Sequence, residues 1–120
     1  MKNFVGIVLI VCGLILGLFT FGCDSKPQLN ENVIYFFTKP GCPYCDKASD
    51  YIKQMHPELA VIYKNVKENS AKELMLECAK KFKLPTNQLG TPLICMGNNY
   101  ILGWSDHSAS LFERALKTMK

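Results

Sequence analysis

Apolar runs and helical periodicities alternate along most of this chain. The unbroken apolar run over residues 33–37 predicts a central strand that is covered on both faces. Apolar residues then recur at helical spacing until Pro57 interrupts them, which predicts a helix over residues 43–55. A second apolar run over residues 59–63 predicts another strand. Because the return from the helix is short, the two strands should pair in parallel with a right-handed connection.

A second amphipathic helix follows in the pattern. Ser70 and Glu73 have the spacing of a capping box, which predicts that this helix begins at about Ser70. Its apolar stripe consists of Ala71, Leu74, Met75, Cys78, Ala79 and Phe82. Residues 83–90 carry no such periodicity and are predicted to form a loop.

The last part of the chain predicts a hairpin and a final helix. Two short apolar runs over residues 93–96 and 100–102 flank the turn-forming residues 97–99. Asp106 is predicted to cap the final helix, whose apolar face carries Leu111, Phe112, Ala115, Leu116 and Met119. The element order is βαβαββα. It predicts an α/β fold with a central mixed four-stranded sheet flanked by helices.

The first 22 residues have a different character. Lys2 is their only charge, and residues 4–22 are almost wholly apolar, so that as a helix they are just long enough to span a bilayer, at about 1.5 Å per residue. The segment is predicted to be a signal peptide or membrane anchor. A buried first helix of a soluble domain is the weaker alternative, because such a helix would show a polar face.

The end of this segment resembles the cleavage site of bacterial lipoproteins. Thr20 and Gly22 place small residues at the third and first positions before Cys23, which would carry the lipid. An uncleaved anchor and simple secretion are the alternatives. All three put the domain outside the cytoplasm, in the cell envelope and facing the periplasm or extracytoplasmic side. Residues 23–31 are then a polar linker and residues 32–120 the domain.

Composition limits the remaining possibilities. With 120 residues the chain has room for one domain, expected to be a monomer. Its net charge of +4 is spread along the chain except for one short cluster at residues 80–83, which suits a helix C-terminus. No nucleic-acid-binding surface is indicated. Outside the apolar leader, four cysteines remain: Cys42, Cys45, Cys78 and Cys95.

The pair Cys42 and Cys45, separated by Pro43 and Tyr44, carries the chemistry. Two thiols at this spacing can close and reopen a disulfide, and the preceding strand and turn place the first of them at a helix N-terminus. Unpaired N–H groups and the helix dipole favour its thiolate. Cys42 is therefore predicted to be an exposed nucleophile, and Cys45, one turn further on the buried stripe, the resolving thiol. No second close pair completes a zinc site.

Three motifs resemble the glutaredoxins of the thioredoxin-fold superfamily. Residues 38–45 (TKPGCPYC) resemble their active-site segment, and residues 90–92 (GTP) resemble the loop with a threonine and a cis-proline. Residues 103–106 (GWSD) are similar to their glutathione-binding turn, with Trp104 in place of a glycine. The resemblance covers residues 31–120 and implies a thioredoxin-like fold with Pro92 cis against the cysteines. The substrate-binding positions it implies are Lys39, Tyr44, Thr91, Pro92, Ser105 and Asp106.

The remaining cysteines, the two histidines and the tryptophan are not predicted to take part in catalysis. Cys78 and Cys95 are either two buried thiols or a second, structural disulfide, and both possibilities stay open. His56 and His107 belong to no partner pattern in the sequence and are predicted to be surface residues. Trp104 is predicted to be partly buried near the active cysteines.

These observations favour one function and leave two alternatives. The first is an exported, membrane-tethered thiol–disulfide oxidoreductase that acts on protein thiols and disulfides, with a membrane protein as a candidate redox partner. The first alternative to this function is a glutathione-dependent reductase with glutathione as co-substrate and no bound cofactor. The second alternative is a non-enzymatic carrier of copper or another soft metal on Cys42 and Cys45. No other metal site is predicted.

Overall fold

The computed structural model describes residues 28–119. The helices and strands are β1 (Ile34–Thr38), α1 (Pro43–Met55), β2 (Val61–Asn65), α2 (Asn69–Lys81), β3 (Leu93–Met96), β4 (Asn99–Leu102) and α3 (Asp106–Thr118), with a short 3₁₀ turn (Thr86–Gln88) before β3. The predicted order βαβαββα is confirmed. The predicted membrane segment over residues 1–22, Cys23 and the first part of the linker lie outside the described residues.

Four strands form one mixed sheet in the order β2-β1-β3-β4. β1 pairs in parallel with β2, with Ile34 opposite Val61, and antiparallel with β3, with Ile34 opposite Met96. β3 continues into β4 through a two-residue turn, with Met96 opposite Asn99. The mixed four-stranded sheet is therefore as predicted, with β1 and β3 at its centre.

Helices cover the two faces of the sheet unequally. Because successive strand residues point to opposite faces, β1 contributes to both layers, which explains its unbroken apolar run. On one face, α1 and α3 pack against the sheet in a cluster of Ile34, Phe36, Cys42, Cys45, Ala48, Ile52, Ile94, Met96, Ile101, Phe112 and Ala115. On the other, α2 packs in a cluster of Tyr35, Phe37, Leu74, Met75, Cys78, Leu93 and Cys95.

A disulfide joins α2 to the sheet. Cys78 of α2 and Cys95 of β3 are bonded, with their Cα atoms 6.5 Å apart, inside the range that disulfides span. Both residues are buried in the cluster on the α2 face. The second-disulfide interpretation of these cysteines is therefore the one that the structure supports.

The second strand begins two residues later than predicted, at Val61. The chain first completes a turn after α1, in which the Leu59 amide donates to the His56 carbonyl at 3.0 Å. Leu59 then packs against the core from outside the strand. Its apolar character reflects that contact and not strand pairing.

Two predicted helix caps are wrong. α2 begins at Asn69 with Glu68 as its N-cap and no side-chain cap, because the Asn65–Glu68 turn, in which the Glu68 amide donates to the Asn65 carbonyl at 3.0 Å, leads into the helix earlier. Ser70 therefore lies inside the first turn. In α3 the cap is Ser105, whose hydroxyl oxygen accepts from the Ser108 amide at 3.2 Å, and Asp106 is the first helical residue.

Within residues 28–119, no helix combines the length and apolar character that a bilayer span requires.

Candidate active site

Cys42 is placed by the sharp turn between β1 and α1. Gly41 has φ of +74°, a left-handed conformation that glycine adopts readily, and this turns the chain from the strand into the helix. Cys42 is the N-cap of α1, and its Sγ accepts a hydrogen bond from the Cys45 amide at 3.2 Å. Pro43 occupies the first helical turn, where a missing N–H costs nothing. The structure thus puts the sulfur at a helix N-terminus.

Cys42 and Cys45 form a disulfide, with their Cα atoms 5.2 Å apart. Cys45 is 2% exposed, but Cys42 is only 6% exposed, so the prediction of an exposed Cys42 is wrong. The cause is a loop distant in sequence. The Thr91 hydroxyl donates to Cys42 Sγ at 3.5 Å, and the Thr91 carbonyl oxygen lies 3.6 Å from the same sulfur. The Thr91 loop therefore shields the sulfur of Cys42 from solvent.

The Thr91–Pro92 peptide bond is cis, as the resemblance implied. Pro92 is buried, and its carbonyl accepts from the Gly103 amide at 2.8 Å. This bond ties the loop that covers Cys42 to the end of β4. Three elements therefore fix the position of Thr91: β3, which begins one residue after Pro92, the end of β4 and the N-terminus of α1.

The other predicted binding residues lie around this centre and not in it. Lys39 is exposed, and so is Tyr44, at 56%, with Lys47 Nζ 5.4 Å from its ring centroid. Ser105 and Asp106 follow two and three residues after Gly103. Within residues 28–119 neither hydrogen-bonds to Cys42, Cys45 or Thr91. The structure thus brings Thr91 and the two cysteines together and leaves Lys39, Tyr44, Ser105 and Asp106 at the surface.

One polar cluster was missed in the sequence. The Tyr51 hydroxyl donates to Glu113 Oε2 at 2.6 Å, and His56 Nε2 lies 2.8 Å from the same oxygen. His56 is therefore partly buried and has a partner that no sequence pattern indicated, whereas His107 is exposed as predicted. Tyr51, His56 and Glu113 are named here the carboxylate bridge. No spacing pattern could have indicated it, because Glu113 is 62 residues beyond Tyr51 and on another helix.

The carboxylate bridge shifts the ionisation of its members. The hydrogen bond to Glu113, with partial burial and the nearby negative charge, raises the pKa of Tyr51 to about 12. The hydrogen bond from Tyr51, assisted by His56, holds the pKa of Glu113 below its usual value against the opposing effect of burial. The structure therefore favours a protonated tyrosine and an ionised carboxylate.

This ionisation predicts a loss of stability in strong alkali. Below pH 10 Tyr51 is protonated in both the folded and the unfolded chain, so its hydrogen bond contributes fully. Between pH 10 and about 12 the unfolded tyrosine ionises first, and the contribution is lost. Denaturant midpoints of the oxidised wild type and Tyr51→Phe should therefore converge across this range. A constant offset between Tyr51→Phe and wild type across this range would contradict the prediction.

No group of three or more histidine, cysteine or acidic side chains in the described part of the chain is arranged to hold a metal ion.

A redox-capable cysteine pair at a helix N-terminus, faced by a cis-proline loop on a mixed sheet, defines a thioredoxin-fold oxidoreductase site. A sequence model of the glutaredoxin family matches residues 34–101, more than half of the chain. The chain therefore belongs to the glutaredoxin family, and with its Cys42–Cys45 pair it is a thiol–disulfide oxidoreductase.

Two solved structures are similar to this chain. The crystal structure of a buckwheat glutaredoxin–glutathione complex has 17% sequence identity and a TM-score of 0.46, with 72% of this chain and 70% of that chain covered. The crystal structure of a mutated buckwheat glutaredoxin has 19% identity and a TM-score of 0.42, with coverage of 75% and 74%. No curated protein matches the chain.

Proposed function

We propose that this chain is an exported, membrane-tethered oxidoreductase that exchanges disulfides with protein substrates by a dithiol mechanism. The observation that carries the mechanism is the placement of Cys42. Cys42 is the N-cap of α1, and its sulfur is bonded to Cys45 and lies 3.5 Å from the Thr91 hydroxyl. Cys42 is 6% exposed and Cys45 is 2% exposed, so Cys42 is the sulfur that we expect a substrate to meet first.

In the reducing direction, the Cys42 thiolate attacks one sulfur of a substrate disulfide. A Cys42–substrate disulfide forms and the other substrate sulfur leaves as a thiolate, which takes a proton from solvent. The Cys45 thiol loses its proton and attacks Cys42 Sγ, which releases the second substrate thiol and closes the Cys42–Cys45 bond. Two electrons pass from the protein to the substrate. In the oxidising direction the same steps run in reverse.

Cys45 is placed for the second step. Its amide already donates to Cys42 Sγ at 3.2 Å, and the two Cα atoms are 5.2 Å apart, so little movement separates the dithiol from the disulfide. The same amide hydrogen bond, with the helix N-terminus, favours the Cys42 thiolate in the reduced protein. Exposed Lys39 in the preceding turn adds positive charge on this side.

Two features support the proposed location in the cell envelope. The apolar residues 1–22 have the character of a signal peptide or anchor, and Cys23 offers a lipid attachment point. The buried Cys78–Cys95 disulfide is of a kind that persists in oxidising compartments and is rare in a reducing cytosol. A membrane redox partner would then recycle the dithiol.

Glutathione dependence is the alternative that family membership favours. Two observations argue against glutathione dependence. The Ser105 hydroxyl is occupied as the cap of α3, and Trp104 places a large ring where the glutathione-binding turn of glutaredoxins has a glycine. Protein substrates are therefore the preferred proposal.

Parallel turnover assays with two substrates test the choice. We expect the reduced full-length protein to reduce a disulfide-bonded protein with kcat/KM at least about tenfold above that for a glutathione mixed disulfide. Initial rates should be measured with each substrate at equal concentration, with Cys42→Ser as the inactive control for both. Faster turnover of the glutathione mixed disulfide would replace the proposal with the glutathione-dependent alternative.

A further inference from the structure

The carboxylate bridge joins α1 to α3 close to the end of α1. One carboxylate oxygen of Glu113 binds both the Tyr51 hydroxyl and His56, and His56 is the C-cap residue of α1. Hydrogen bonds to an ionised acceptor are stronger than those between neutral groups. Glu113 therefore fixes the Tyr51 side chain from its polar end.

The fixed Tyr51 ring is a contact surface for Trp104. The two ring centroids are 5.4 Å apart with a tilt of 53°. Phe112, which is fully buried, contacts both rings edge-on, at 6.5 Å from Tyr51 and 6.3 Å from Trp104. These are preferred geometries for aromatic pairs. The orientation of the indole thus depends on a tyrosine that Glu113 holds in place.

Trp104 is next to the loop that covers the active cysteine. The residue before it, Gly103, donates its amide hydrogen to the Pro92 carbonyl at 2.8 Å, and Thr91 on the other side of Pro92 donates to Cys42 Sγ. Trp104 is half-buried and packs against the core cluster that contains both active cysteines. Trp104 therefore keeps an exposed part while it lies next in sequence to the residue that holds the Thr91 loop.

We propose that Glu113 is a positioning residue for protein substrates: through Tyr51 it holds Trp104 as one wall of the surface that receives the polypeptide next to the reacting cysteine. The proposal rests on the proposed function, because a protein substrate is large enough to reach Cys42 and Trp104 together. A half-buried indole offers an apolar face, so the matching substrate segment is apolar or aromatic near its cysteine. A small disulfide contacts Cys42 alone and does not need the wall.

The variant Glu113→Ala removes the acceptor for Tyr51 and His56. We expect KM for a disulfide-bonded protein to rise about three- to tenfold with kcat unchanged, because a binding contact and not the chemistry is lost. Turnover of a small aromatic disulfide should stay within about twofold of wild type. Trp104 is the only tryptophan in the chain, so its fluorescence anisotropy reports directly on the wall and should fall.

Matched variants separate positioning from folding. Glu113→Gln keeps a side-chain oxygen that can accept from Tyr51 and should restore KM to within about twofold of wild type. Glu73→Ala removes an exposed carboxylate of α2, on the opposite face of the sheet, and should change neither KM nor anisotropy. If Glu113 acts through Trp104, Glu113→Ala should add little to Trp104→Ala in a double-mutant cycle.

Two results would overturn the proposal. Equal losses for the small and the protein disulfide in Glu113→Ala would mean that the bridge only maintains the fold. Unchanged Trp104 anisotropy in that variant would mean that the bridge does not position the indole. Failure of the proposed function is distinct, because wild type would then reduce the glutathione mixed disulfide and not the protein. The anisotropy comparison needs no substrate and would still decide whether Glu113 positions Trp104.

Discussion

Replacing Cys42 with serine should abolish disulfide exchange, with a loss of at least about a thousandfold in kcat/KM. The hydroxyl does not ionise at neutral pH and cannot form a disulfide, so the helix N-terminus has no thiolate to stabilise. Cys42 is also the more exposed of the pair, at 6% against 2% for Cys45. The loss can be measured as the rate at which free thiols appear when a disulfide-bonded protein is reduced.

The companion variant Cys45→Ser should behave differently. Cys42 can still attack, but the buried residue that resolves the mixed disulfide is gone, so a covalent complex with the substrate should accumulate. Intact-mass measurement under non-reducing conditions would show the adduct, and addition of a small thiol should release it. The double variant Cys42→Ser/Cys45→Ser is the control and should form none. Full turnover by Cys45→Ser would mean a monothiol mechanism and would favour the glutathione-dependent alternative.

Local sequence patterns correctly predicted the helix that carries this dithiol. α1 has the predicted bounds because Pro43 favours a first turn and Pro57 ends the helix pattern, and both effects act within a few residues. The position of Cys42 at the start of the helix follows from the same local information. Strand β3 likewise coincides with its apolar run.

Local sequence patterns could not predict contacts between segments that are distant in the sequence. The burial of Cys42 depends on Thr91, which is 49 residues away, and cannot be inferred from a motif that places Cys42 first in a helix. The carboxylate bridge requires α1 and α3 to be packed before Tyr51 meets Glu113. The predicted cap of α2 was wrong for a local reason. Ser70 and Glu73 fit a capping box, but the preceding turn determines where α2 begins.

The pairing of Cys78 with Cys95 was also undecidable from sequence, since it depends on the side on which α2 crosses the sheet. Both cysteines lie on the α2 face, whereas Cys42 and Cys45 belong to the cluster on the face of α1 and α3. The sheet therefore lies between the two disulfides. Because Cys78 and Cys95 are buried under α2, we expect their bond to stay intact while Cys42 and Cys45 exchange.

Removal of the Cys78–Cys95 disulfide should lower the stability of the fold strongly without removing activity. Cys78 and Cys95 are 17 positions apart, and a cross-link closing a loop of that size stabilises a fold by about 3 kcal/mol. For a domain of this size, the variant Cys78→Ala/Cys95→Ala should melt more than about 10 °C below wild type. Its dithiol is untouched, so exchange at a temperature where the variant is folded should match wild type.

The same bond connects stability with the proposed location. In cells that express the full chain, thiol alkylation should find Cys78 and Cys95 oxidised, because the proposed export would complete folding in an oxidising compartment. A chain lacking residues 1–22 should keep both thiols reduced and melt like the alanine variant. The double variant Cys42→Ser/Cys45→Ser is the matched control, since the disulfide that it lacks closes a separation of only 3 positions and should stabilise the fold less. A Cys78→Ala/Cys95→Ala protein as stable as wild type, or full oxidation of the pair without the leader, would contradict this link between the bond and export.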